Sequence, residues 1–63
     1  MYVLLEGRIK RLTKDGFILA HRVGGTIVDS YIERSACEEP EKLKEGDAKI
    51  RVLFSFCRNE GII

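Results

Sequence analysis

The sequence predicts a small all-β fold, a five-stranded barrel. Three observations carry that expectation. Side chains alternate with a period of two through residues 2–10 and again from Ala48 to Cys57. Glycine-containing turns separate these runs at short intervals. The run from Thr26 to Ile32 is rich in β-branched residues, which favour strands.

The first strand is expected over residues 2–12. Val3, Leu5, Gly7 and Ile9 alternate there with Tyr2, Leu4, Glu6, Arg8 and Lys10. Gly7 lies in the middle of the run, where a missing side chain lets a strand bend sharply. Thr13-Lys14-Asp15-Gly16 reads as a turn, with Asp-Gly suited to positive φ. The second strand follows as Phe17 to Arg22, then a Gly24-Gly25 turn, then a third strand from Thr26 to Ile32 rich in β-branched residues. Glu33 to Glu45 is polar, holds the only proline (Pro40) and does not alternate, so it reads as a long connection with one helical turn at 40–44. After a Gly46-Asp47 turn, Ala48 to Cys57 alternates again as a fourth strand. Arg58-Asn59-Glu60-Gly61 reads as a last turn and Ile62-Ile63 as the beginning of a fifth strand.

Three meandering strands, a long crossing connection and a closing hairpin are the wiring of an OB-type barrel. An SH3-like barrel is the alternative, because periodicity does not separate the two. The 63 residues are expected to form a single domain. The chain is 33% charged with a net charge of +1, which excludes the strongly basic balance of a protein held to phosphate by charge alone. That charge is unevenly spread. Residues 1–22 carry five bases and two acids, residues 29–47 three bases and seven acids. No apolar run approaches the roughly 20 residues of a membrane span. Met1-Tyr2-Val3-Leu4-Leu5 is too short for a signal-peptide core, so the expected location is cytoplasmic.

Catalytic and metal chemistry find little support. The candidate nucleophiles are Ser30, Ser35, Ser55, Cys37 and Cys57, none in a glycine-flanked elbow, and His21 is the only histidine. Cys37 and Cys57 lie twenty residues apart with no C-x-x-C pair. They read as reduced, partly buried thiols, with a disulfide as the other possibility. No enzyme activity, cofactor or metal is expected, and His21 reads as a surface residue.

Several segments together resemble the cold-shock domains. The family opens with Gly-x-Val-Lys-aromatic-aromatic, and this chain has Gly7-Arg8-Ile9-Lys10-Arg11-Leu12. The family's second strand contains Lys-Gly-Phe-Gly-Phe-Ile, against Gly16-Phe17-Ile18 here. Its third strand, Asp-Val-Phe-Val-His-Phe-Ser-Ala, is matched by Asp29-Ser30-Tyr31-Ile32-Glu33-Arg34-Ser35-Ala36. The turn Leu-x-Glu-Gly is matched by Leu43-Lys44-Glu45-Gly46. The outline covers roughly residues 5–56 and is similar to that of S1 domains and bacterial translation initiation factor one, both OB folds.

The resemblance implies single-stranded nucleic acid, RNA in particular, bound on the face of strands one to three. Aromatic side chains would stack on bases beside basic residues. The positions implied are Arg8, Lys10, Arg11, Phe17, Tyr31 and Arg34. For Phe17 and Tyr31 the alternative is ordinary packing inside the barrel. For the basic residues it is a solvated strand surface that blocks edge pairing. By alternation Arg8 and Lys10 share a face, which Arg11 joins only where the strand bulges. The chain also departs from the family. Arg11 stands where the family has tryptophan, and Leu12, Asp15, Glu33 and Arg34 replace aromatic residues or histidine. Each lost stack removes about 1–3 kcal/mol, which implies weak or altered affinity. A second expectation is a protein-interaction or assembly module on the same barrel, paired with a protein partner or a second copy through the short C-terminal edge.

Overall fold

The computed structural model describes residues 1–63. Four strands form one antiparallel sheet: β1 (Tyr2–Leu12), β2 (Gly16–Val23), β3 (Thr26–Glu33) and β4 (Gly46–Leu53), in the order β3-β2-β1-β4. The meander of the first three strands is as expected. At eleven residues, β1 is long enough to serve two neighbours. Its first part pairs with β4, from Tyr2 opposite Leu53 to Ile9 opposite Gly46. Its second part pairs with β2, from Gly7 opposite His21 to Leu12 opposite Phe17.

Where the two ladders overlap, Gly7 is indispensable. A Cβ there would run into the carbonyl oxygen of Ala20 and lie 3.1 Å from the His21 Cβ. The register then shifts between Ile9 and Arg11, leaving Lys10 as the extra residue of a bulge. Gly24 and Gly25 have φ of 57° and 86°, the two positive values that a two-residue hairpin turn demands. The 13–16 turn works differently. Gly16 is not in the positive-φ region. The turn is closed instead by the Thr13 N–H on the Gly16 carbonyl at 2.8 Å and by the Gly16 N–H on Thr13 Oγ1 at 3.0 Å.

The inner face of the sheet is apolar. Ile9, Phe17, Leu19, Ile32 and Val52 are its fully buried large side chains, and Cys57 from beyond the last strand joins them in the core. Only 13 of the 63 residues are buried, so each large core side chain carries a substantial share of the stability. His21 belongs inside as well, contrary to the surface position expected. It faces inward opposite the side-chain-free Gly7, and its Nε2 is 2.7 Å from Ser30 Oγ.

The connection from β3 to β4 contains two short 3-10 turns, Arg34–Ala36 and Pro40–Lys42, the second being the helical turn expected near 40–44. Between them, Cys37 bridges to Val52 and the Glu38 N–H donates to the Arg51 carbonyl at 3.0 Å. That clasp holds the connection against the outer edge of β4.

The C-terminal expectation is overturned. The fourth strand ends at Leu53, and Phe54–Asn59 forms a short helix, α1. Gly61 has φ of 73°, with the Ile62 N–H on the Cys57 carbonyl at 2.8 Å and the Gly61 N–H on the Arg58 carbonyl at 3.2 Å. This pair of bonds is a Schellman ending, which turns the chain back and drops Ile62 into the core beside Cys57. Ile62 therefore packs as a plug, no fifth strand forms, and the sheet stays open with β3 and β4 at its edges.

Candidate nucleic-acid interface

The outer face of β1, β2 and β3 follows from the register. Arg8 lies opposite Ala20, which lies opposite Asp29. Arg11 lies opposite Ile18, which lies opposite Tyr31. Because the bulge at Lys10 resets the alternation, Arg11 points to the same side as Arg8. The condition set by the sequence pattern for Arg11 is thus met by the backbone.

The six expected residues do not converge equally. Tyr31 is 47% exposed. Its phenol end lies over Gly16, where an added Cβ would come within 2.6 Å of both Cζ and Oη. Gly16 is therefore needed for the seat it offers the ring. Arg11 is exposed and takes part in none of the four ion pairs of the structure. Lys10 is half-exposed and its Nζ lies 2.9 Å from Asp29 Oδ2. Arg8 is exposed with Nη1 3.3 Å from Asp47 Oδ1. Such exposed pairs are worth about 0–1 kcal/mol and exchange readily for another anion.

Two expected residues leave the face. Phe17 is completely buried, because it pairs with Ile32 and Leu12 on the inner side of the sheet. It is a core residue and offers no ring to a ligand. Arg34 is turned to structural use: its Nε donates to the Thr13 carbonyl at 3.1 Å and its Nη1 to the Pro40 carbonyl at 3.2 Å. With the Arg34 N–H on the Asp15 carbonyl at 2.9 Å, it ties the 13–16 turn to the crossing connection.

Sequence reasoning missed Ile18, which fills the gap between Arg11 and Tyr31, and Asp29, which neutralises Lys10. Register explains the first, and alternation supplied the signal for it. The second depends on a cross-sheet approach that no local pattern encodes. Arg22 stays on the strand but its Nη1 donates to the Gly25 carbonyl at 3.2 Å, bracing the hairpin turn.

Both cysteines are free and buried. Burial pushes the Cys37 thiol up to about 11, partly offset by nearby Arg34, and burial raises Cys57 too. Protonated thiols are poor nucleophiles and poor ligands at neutral pH. No group of three His, Cys, Asp or Glu side chains comes together to hold a metal ion, and no helix is long and apolar enough to cross a membrane.

No protein-family model, curated protein or solved structure matches the chain. Its class is accordingly set by its own architecture: a small β protein of four antiparallel strands in one sheet.

Proposed function

We propose that this chain is a non-enzymatic module that binds single-stranded nucleic acid, RNA in preference, on the outer face of β1–β3. The observation that carries the reading is the bulge at Lys10, which gathers Arg8, Lys10 and Arg11 on the side where Tyr31 is exposed. An exposed ring beside a strip of cations is the combination that single strands use, stacking a base and tracking phosphates. The OB-type wiring and cold-shock resemblance expected from the sequence favour the same face. With one exposed aromatic residue there instead of several, affinity is weak.

A second reading has its own observation. β3 is an eight-residue edge strand with no lysine, proline or bulge to discourage pairing. It is a place where a protein partner or a second copy would add a strand, in place of the expected C-terminal edge. Sedimentation of a strict monomer at high concentration would remove self-association from this reading.

The nucleic-acid reading is tested by anisotropy titration of labelled mixed-sequence RNA at low salt. Three phosphate contacts predict a log–log salt slope of about −2, and Arg11→Ala reduces its magnitude by about 0.7. Tyr31→Ala lowers affinity by about tenfold, the loss of one stack. Binding that ignores salt and both substitutions would contradict the reading.

A further inference from the structure

Tyr31 stands beside two carboxylates that a phosphate-binding face ought to exclude. A surface depression at the end of the face is lined by Lys14, Asp15, Tyr31, Glu33, Arg34 and Ser35. The four ion pairs of the structure use Asp47, Asp29, Glu39 and Glu38. Neither Asp15 nor Glu33 is in any of them, and the Arg34 guanidinium in the same depression donates to carbonyls. Glu33 lies two residues beyond Tyr31, so both project from the outer face of β3, about 7 Å apart along the strand. Asp15 adjoins Gly16, which lies opposite Glu33 in the ladder and carries the Tyr31 ring.

An aromatic platform with carboxylates at its rim has a definite chemical partner. A base stacked on Tyr31 extends its hydrogen-bonding edge toward the rim. An ionised carboxylate only accepts hydrogen bonds, through two oxygens side by side. Guanine is the one common base whose Watson–Crick edge offers two adjacent donors, N1–H and the 2-amino group. Adenine and cytosine offer one donor next to an acceptor. Uracil offers one donor between two acceptors, and those carbonyls repel a carboxylate. The acids therefore weaken general binding and favour one base.

We infer that the Tyr31 depression is a guanine-selective subsite, with Glu33 and Asp15 receiving the donors of the Watson–Crick edge. This rests on the nucleic-acid reading above and adds base selectivity to it.

The test uses labelled single-stranded oligouridine RNAs that differ in one central base: guanine, hypoxanthine, adenine, cytosine or uracil. The guanine oligomer binds on the order of tenfold more tightly than the all-uridine one, the discrimination of a bidentate contact. Hypoxanthine keeps N1–H and lacks the 2-amino group, so it falls between them. Glu33→Gln and Asp15→Asn, both at exposed positions, raise affinity for the uridine oligomer while shrinking the guanine preference. That opposite movement separates base reading from a general loss of binding or of fold. Equal binding of all five oligomers, or a guanine preference unchanged in both variants, overturns the inference and leaves the nucleic-acid reading standing. No binding of any oligomer overturns the reading itself, and the inference with it.

Discussion

The inner and outer faces of the β1–β3 meander are made by the same three strands and have opposite chemistry. Inside, Ile9, Leu19, Phe17 and Ile32 are at most 1% exposed. Outside, Arg8, Arg11, Ile18, Asp29 and Tyr31 occupy the alternate positions of those strands. The two aromatic residues that a sequence reading offers for stacking are split between the faces. Phe17 pairs with Ile32 and faces in, whereas Tyr31 pairs with Ile18 and faces out. One register step thus decides whether a ring stabilises the fold or meets a ligand.

The largest effect that would break this contrast comes from its two rings. Phe17→Ala removes a buried ring and costs about 3–5 kcal/mol, enough to unfold much of a domain this small. Tyr31→Ala is expected to cost about 1 kcal/mol or less in stability and to act on binding. Chemical denaturation of both variants checks the pair. Comparable stability losses would mean that the faces are not divided as described.

Gly7→Ala comes next. The added methyl group meets the Ala20 carbonyl where β1 carries both ladders, and overpacking of that kind costs about 1–3 kcal/mol. A thermal melt indistinguishable from the parent protein would show that β1 relaxes more easily than its double pairing implies.

Alkaline pH probes the clasp between the crossing connection and β4, where Cys37 is buried. Cys37 rises from an ordinary 9.0 to about 11 through burial. The unfolded chain releases this proton above pH 9 while the folded chain keeps it. The stabilising contribution is therefore whole below pH 9 and lost as pH climbs to about 11. Denaturation midpoints should fall across that window, and Cys37→Ala should make the fall shallower.

The smallest effect on stability belongs to the outer face. Asp29→Asn releases Lys10 from its 2.9 Å partner and changes stability by no more than about 0.5 kcal/mol. It also raises the net charge by one, so RNA affinity at low salt should increase a few-fold. Unchanged affinity in the anisotropy titration would take Lys10 out of the interface.

Much of this arrangement was legible in the sequence. Alternation marked β1, flanking glycine turns delimited β2, β-branched residues marked β3, Gly24-Gly25 marked the hairpin, and Pro40 marked the helical turn of the crossing connection. The C-terminal segment misled because Phe54 and Phe56 alternate as strand residues do. The better signal was Gly61 followed by an apolar residue, the signature of a Schellman ending, and it is too short to outweigh a run of alternation. The site was legible in residue type more than in placement. Arg11 and Tyr31 are where the pattern allowed them. Phe17 and Arg34 were drawn away by packing and by backbone carbonyls, interactions that depend on strands and turns meeting in three dimensions.

The most direct test of the central claim is a two-dimensional amide NMR titration of the ¹⁵N-labelled protein with single-stranded RNA at low salt. Binding on the outer face predicts shifts concentrated at Arg8, Lys10, Arg11, Ile18, Asp29 and Tyr31, with α1 and the outer edge of β4 unmoved. Shifts centred on α1 or β4, or none at saturating RNA, would contradict it.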